Sequence, residues 1–331
     1  MKKFLKVCLI LVACFMFLGL FFAGIGFAFA GTNIKTEFAR GMNRSLFNLD
    51  YVKIGSHVDA DSDSYEINFS DWTNSLITIY DGKLEETEIA SRDEINKVIC
   101  KIAACDFNVV ESENDTFRIE STTTGKFRCY QSENTLYFEG INEKKIGTNI
   151  TGSITLYIPK DLDLEEFEVH AGACDLDIDK IMADQVDIEI GAGDVYIREI
   201  IATDITCNLG AGNVEIDYID TDRYVGQIGA GEITIYEIDA DSVETNVGVG
   251  NAEFSKMKAN TISLVCAMGS IDAVIDGNEE DYSYSAKCVA GNVSIGNGGG
   301  VILGTSSNSG LSKDKKITAD CAMGSIEIRF K

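Results

Sequence analysis

A short phrase recurs in this chain at a fixed interval, and the interval leaves few folds open. It reads GAGDVYI at Gly191–Ile197, GAGNVEI at Gly210–Ile216, GAGEITI at Gly229–Ile235 and GVGNAEF at Gly248–Phe254. Looser copies, GACDLDI (Gly172–Ile178) and AMGSIDA (Ala267–Ala273), lie on either side. The pivotal residue falls at Cys174, Gly193, Gly212, Gly231, Gly250 and Gly269, nineteen residues apart each time. An unbroken period of that length predicts one structural unit stacked repeatedly on itself.

Numbering each repeat from its pivotal residue as zero separates inward from outward positions. Column −7 holds Phe167, Val186, Ile205, Tyr224, Val243 and Ile262; column −3 holds Ala171, Ile190, Leu209, Ile228, Val247 and Cys266. Column +2 gives Leu176, Val195, Val214, Ile233, Ala252 and Ile271, and column +4 gives Ile178, Ile197, Ile216, Ile235, Phe254 and Ala273. Apolar residues two apart define strands with one face buried. The step from −3 to +2 is odd, so the chain must bend between the two strands. Glycines at −2 and 0 are read as supplying the bend through positive φ. A second odd step, from +4 to +7 (Ile181, Ile200, Ile219, Ile238, Met257), implies another bend. Each repeat is thus one coil of an all-β parallel solenoid, a β-helix with coils of ~19 residues.

Further coils fit the same columns. Val98 to Val109 gathers around Cys105, Tyr284 to Ile295 around Gly291, and Ile317 to Ile328 around Gly324, with a Gly/Ser-rich excursion over Gly296–Ser312. About nine or ten coils at ~4.8 Å each make a rod ~45 Å long. Shorter strands are expected at Tyr65–Phe69, Leu76–Tyr80, Phe117–Glu120, Phe127–Tyr130, Thr135–Glu139 and Ile154–Ile158. The strand Ser325–Phe330 is read as the final one, with an edge open to a partner strand.

Within residues 1–30, the run from Phe4 to Ala30 is almost wholly apolar, broken only by Lys6, and long enough to cross a bilayer as one N-terminal transmembrane helix. Lysines before the segment and acidic sequence after it predict a cytoplasmic N-terminus and an extracytoplasmic body at the cell membrane. Cleavage after Ala30 and acylation of Cys14 in the run Leu11–Cys14 are alternatives that the residues also allow. Residues 31–64 read as a juxtamembrane linker with an amphipathic patch at Phe38–Val52, and residues 65–331 as the solenoid ectodomain. The formal net charge of −25 opposes binding to phosphate backbones, so no nucleic acid is expected as a partner.

The chain holds ten cysteines. Cys266, Cys288 and Cys321 occupy column −3, Cys100 and Cys207 column −5, and Cys105 and Cys174 the pivot. These are core positions, which predicts free buried thiols rather than a disulfide framework. Cys266 and Cys288 are the pair expected to approach across neighbouring coils.

Chemistry is sparse. Of the two histidines, His57 lies in the linker, and His170 sits in column −4 with Glu189, Asn208, Gln227 and Asn246, an outward polar ladder with no further metal ligands converging. Column +1 (Asp175, Asp194, Asn213, Glu232, Asn251) carries turn formers rather than a tandem calcium motif. The GxG phrase lacks the following helix and Lys-Ser/Thr of a phosphate loop, and no nucleophile has a histidine beside it. No catalytic residue, cofactor or metal site is expected, and the chain is read as no enzyme.

The GAGDVYI-type repeats, the passage IPKDLDLEEFEVHAGACDLDI (Ile158–Ile178) and IAACDFNVVESENDTFRIE (Ile102–Glu120) resemble a bacterial putative-adhesin family of unknown function. That family includes a membrane-anchored protein of the Lia-type envelope-stress operon. The resemblance covers roughly residues 65–331 and implies a right-handed β-solenoid presented at the cell envelope. The function expected from it is binding, adhesion or scaffolding toward an envelope polymer or a membrane or surface protein. The alternative is an accessory, regulatory part in an envelope stress response.

Overall fold

A computed structural model describes residues 78–81, 84–123, 126–141, 152–296, 304–307 and 313–331. The expected membrane helix, the linker, the Phe38–Val52 patch and the Tyr65–Phe69 strand lie outside the described residues. Among the described residues, no helix is long and apolar enough to cross a membrane.

The described chain is all β and forms one thirteen-stranded sheet system. In chain order the strands are β1 (Thr78–Asp81), β2 (Leu84–Ser91), β3 (Lys97–Ala104), β4 (Asp106–Ser112), β5 (Thr116–Ser121), β6 (Lys126–Ser132) and β7 (Thr135–Ile141). They continue with β8 (Ser153–Pro159), β9 (Asp163–Ala173), β10 (Leu176–Ile275), β11 (Tyr282–Ile295), β12 (Gly304–Ser307) and β13 (Lys315–Phe330). The hundred residues of β10 run as extended backbone through several coils. Where β9 meets β10 the strands are parallel, with Val186 opposite Phe167 and Ile190 opposite Ala171, an offset of nineteen. The period in the sequence is therefore the coil of the solenoid.

The inward columns form one continuous core. Ile197, Ile216, Ile235 and Phe254, all of column +4, are completely buried. Full burial of such a side chain contributes about 1.5–3 kcal/mol. One apparent fault in the pattern has a packing reason. Column −5 offers Gly226 where its neighbours have larger residues, and the buried ring of Tyr224 fills the space. A Cβ on Gly226 would lie 2.6 Å from the Tyr224 hydroxyl oxygen.

Both ends of the stack depart from chain order. Near the N-terminal end, the coil formed by β3 and β4 lies between two later ones. On one side Val98 pairs with Phe167 of β9 and Phe107 with Leu176 of β10. On the other side Val98 pairs with Leu136 of β7 and Phe107 with Ile154 of β8. The strands at Thr135–Glu139 and Ile154–Ile158, read from sequence as separate, are thus two faces of one coil. Antiparallel strands cover it, β6 and then β1 on the β7 side, β5 and then β2 on the β8 side. Strand β2, LEETEIAS, carries no clear alternation. It is an edge strand, exposed at Glu85, Glu86 and Glu88 and paired through two register shifts.

At the other end, β13 is inserted between β10 and β11. It pairs in parallel with the last coil of β10 (Ile262 opposite Ile317, Cys266 opposite Cys321) and with β11 (Tyr284 opposite Ile317, Cys288 opposite Cys321). Chain order had placed Ser325–Phe330 at an open edge. It is interior, flanked by Ile271–Ile275 on one side and by Val293–Ile295 on the other. The excursion after Gly296 supplies β12, antiparallel to Ser285–Cys288 of β11. Cys266 and Cys288 are therefore not neighbours, because Cys321 stands between them. The eight described cysteines are free thiols, all buried except the half-buried Cys105.

Candidate functional site

The corner between columns −3 and +2 is the most regular feature of the surface. At column zero, Gly193, Gly212, Gly231, Gly250, Gly269 and Gly324 have φ between +135° and +153°, a range that side chains rarely adopt. The glycines at column −2 serve differently from the sequence expectation. Gly191, Gly210 and Gly248 have no positive φ; a Cβ on each would come within 2.4–2.6 Å of a carbonyl oxygen on the preceding coil. Close approach, not an unusual φ, selects glycine at these three positions; toward the other end of the stack Ala267, Val289 and Ala322 occupy the same column. Cys174 can stand at the pivot because strand pairing is interrupted at Cys174–Asp175 and its backbone is not left-handed there. Its buried thiol donates to the Asp175 carbonyl at 3.4 Å.

Between the two glycine columns runs a single row of side chains, column −1. It begins with Ala173, Ala192, Ala211 and Ala230, all exposed, and grows toward the other end into Val249, Met268 and Met323. Val249 is 52% and Met268 45% exposed, two of the few large apolar side chains so placed. Met323 lies opposite Met268 on the inserted strand and Ala290 follows it. The result is a narrow apolar ridge, flanked by glycine backbone on both sides as far as Val249 and by Ala267 and Ala322 on one side of Met268 and Met323.

Column +1 edges this ridge with polar groups that bond from coil to coil. The Asp194 amide donates to Asp175 Oδ1 at 3.0 Å, the Asn213 amide to Asp194 Oδ1 at 3.1 Å, and Ser270 Oγ to Asn251 Oδ1 at 2.9 Å. Their oxygens are partly spent on the next coil, which makes the column a structural ladder. The remaining faces show the same habit: Lys256 with Glu237, Lys258 with Asp239 and Asn260 with Asp241 each bond across nineteen residues.

Column −4 is less open than an outward column should be. Gln227 and His170 are each only 8% exposed, and buried oxygens of Asn208 and Gln227 lack a side-chain partner. His170 also has company that the sequence did not reveal. Its Nδ1 lies 3.1 Å from Glu189 Oε2, and its Nε2 contacts Glu168. Burial opposes its charge, but the hydrogen bonds to Glu168 and Glu189 prevail and push its pKa up to about 9. The hydrogen bond to His170 in turn holds Glu168 and Glu189 below their usual value. Asp187, on the same face, is pushed up to about 6 by burial and by the charge of Glu189. The signal was present in outcome if not in emphasis: Glu168 and His170 are two apart on one strand and Glu189 is one coil above, so all three share a face. The group is an ion cluster in which His170 is buried and its acidic partners are partly exposed. Among the described residues, no set of three His, Cys, Asp or Glu is arranged to hold a metal ion.

The thiols do not offer a nucleophile. Burial pushes Cys129 and Cys207 up to about 12 and Cys288 up to about 11, so the reactive thiolate is scarce at neutral pH. Among the described residues, a shallow depression lined by Glu111, Pro159, Leu162, Leu164, Lys180 and Met182 holds a single carboxylate, where glycoside hydrolysis needs a facing pair.

No curated protein matches the chain. Among solved structures it is similar to a putative adhesin from Bacteroides fragilis, at 13% identity over 78% of this chain and 98% of that one, with a TM-score of 0.40. A putative adhesin from Parabacteroides distasonis matches at 11% identity over 78% and 98%, with a TM-score of 0.39. A putative lipid binding protein from the same species matches at 12% identity over 78% and 97%, with a TM-score of 0.32. The Toastrack DUF4097 family matches residues 77–329, and the chain, carrying that family's signature over most of its length, is a member of it.

Proposed function

We propose that the chain is a membrane-anchored, extracytoplasmic, right-handed β-solenoid that acts as a binding or scaffolding module at the bacterial cell envelope, without catalysis. Residues 1–30 hold it to the membrane and the rod presents its corner outward. The observation that carries the binding reading is the ridge at Val249 and Met268, 52% and 45% exposed. It stands on a surface whose other side chains are largely satisfied by their own equivalents on the next coil. Contiguous exposed apolar surface marks interaction sites, and Val249, Met268 and Met323 follow one another along a single column. The partner is an envelope polymer or a membrane or surface protein, approached by a strip too narrow and too convex to enclose a small molecule.

The test is photo-crosslinking in cells, with a probe at Val249 or Met268 and a control probe at Asn260, on a polar face. Wall polymer or a surface protein captured from the ridge and not from Asn260 is the expected result. A membrane sensor or transporter as the dominant product shifts the reading to the regulatory accessory of an envelope stress response. Equal capture at the ridge and at Asn260 ends the claim that the ridge is the binding surface.

A further inference from the structure

The inserted strand β13 is held on both sides, and a cysteine sits at the same column on all three strands involved. Cys321 lies opposite Cys266 on one side and opposite Cys288 on the other, in parallel register. All three point into the core and are between 0% and 4% exposed. Parallel neighbours in a sheet are spaced about 4.8 Å apart, inside the 4.4–6.8 Å that a disulfide accepts between Cα atoms. No other column of the solenoid stacks three cysteines on successive strands. The position in the fold is also particular. It is the one place where two coils, connected elsewhere through the chain, meet only through a strand that arrives later in sequence.

We infer that Cys266 and Cys321 form a redox clasp, closing to a disulfide that locks β13 into its slot between β10 and β11, while Cys288 remains a thiol. Cys321 is the shared group, because it alone has a thiol neighbour on each side. Cys266 is assigned as its partner because β10 is fixed on the preceding coils of the stack, whereas among the described residues β11 is backed on its far side only by the short β12. The oxidant is a small-molecule disulfide. Before β13 docks, while Cys321 is still in water, its thiolate attacks oxidised glutathione, forming a mixed disulfide and releasing one glutathione thiolate. Cys266 as thiolate then attacks Sγ of Cys321 and expels the second glutathione. Two protein thiols are oxidised, one glutathione disulfide is reduced to two thiols, and the two protons pass to them. Burial makes this reaction slow in the closed rod, so the clasp closes as β13 docks and is thereafter shielded from reductant.

The test refolds the full chain, kept in mild detergent, with either oxidised glutathione or a reducing agent. Free thiols are then alkylated and the cysteine linkages mapped by peptide mass spectrometry. Refolding in the presence of oxidant removes protection by burial as an explanation for a negative result. The expected outcome is a peptide pair joining Cys266 to Cys321, with Cys288 alkylated. The midpoint of thermal unfolding should rise roughly 5–10 °C over the reduced protein. Cys321→Ala supplies the control: alanine already occupies this column at Ala171, so the strand should still form by circular dichroism, with the oxidant-dependent rise lost. Cys321 recovered as a free thiol, or bridged to Cys288, overturns the assignment. A Cys266–Cys321 bridge that leaves the unfolding midpoint unchanged overturns its role as a clasp.

Discussion

Adding one methyl group at Gly231 tests the corner at its tightest point. Gly231 has φ +143°, and a Cβ built there would lie 1.7 Å from the carbonyl oxygen of Gly212 on the coil below. Two costs follow. Holding an alanine in that backbone region costs on the order of 1–3 kcal/mol. Real Cβ atoms essentially never come within 3.0 Å of such an atom, so the coils must part locally by about 1 Å. That stretches ladder hydrogen bonds of ~2.9 Å past useful length, at about 1 kcal/mol for each one lost. Gly231→Ala should therefore destabilise the rod by about 3–5 kcal/mol. Gly191→Ala separates the two effects, because its Cβ would meet Gly172 O at 2.5 Å while its φ is not left-handed. It should cost about 1–2 kcal/mol. Gly277→Ala, whose Cβ meets nothing nearer than 3.8 Å, should stay within about 0.5 kcal/mol of the parent. Urea unfolding of the full chain, followed by far-ultraviolet circular dichroism, ranks the three. Gly231→Ala and Gly277→Ala with the same midpoint would refute the steric argument. Equal losses at Gly231 and Gly191 would show that the positive φ contributes nothing.

The ion cluster gives two predictions: stability falls as pH rises through either group, but removing His170 costs stability whereas removing the Asp187 charge adds it. His170 has its folded pKa raised from 6.5 to about 9, so its stabilisation is complete below pH ~6.5 and is lost as pH rises through 9. The urea midpoint should fall over that window by an amount equivalent to about 2–3 kcal/mol, and His170→Gln should flatten the fall. Asp187 has its folded pKa raised from 3.8 to about 6, so its ionisation opposes folding above pH ~6 and is harmless below pH ~4. Asp187→Asn should stabilise the protein by about 1–2 kcal/mol at pH 7 and by nothing at pH 4; a gain that persists at pH 4 would assign it to packing instead.

Much of the architecture was legible in the chain because a coil of fixed length imposes a strict column pattern. Ile197, Ile216, Ile235 and Phe254 announce one interior line from their spacing alone, and all are fully buried. What the pattern cannot encode is the order of the layers. Coils around Gly291 and Gly324 have closely similar inward residues at the same columns, differing at Tyr284 against Ile317 and Val293 against Ile326, so either would sit on the coil of Gly269. The choice is made by the connections after Ile275 and Ile295, which carry no periodic signal. For the same reason β7 and β8 read as two isolated strands rather than one coil. Nor does alternation reveal how deeply an outward residue is covered. Gln227 and His170 alternate as surface residues do, yet their neighbours along the column leave each only 8% exposed. The −2 glycines were recognised as essential for a reason that differs from the observed one, since the constraint comes from a carbonyl on another coil, nineteen residues away.

The inserted strand also changes what it means for this rod to be built in sequence. A simple solenoid can be completed layer by layer as the polypeptide is synthesised, each new turn settling on a finished one. Here the turn made from 282–295 has its place two layers up, before the layer beneath it exists. Its native pairing is with residues 315–330, so it cannot take its final place until they have been made. Assembly of this end is then one cooperative event, and so is its loss. Drawing residues 315–330 away does not shorten the rod by its outermost layer but empties a layer from within. A protease or a mechanical load acting there meets an all-or-none joint where a repeating stack would have offered gradual fraying.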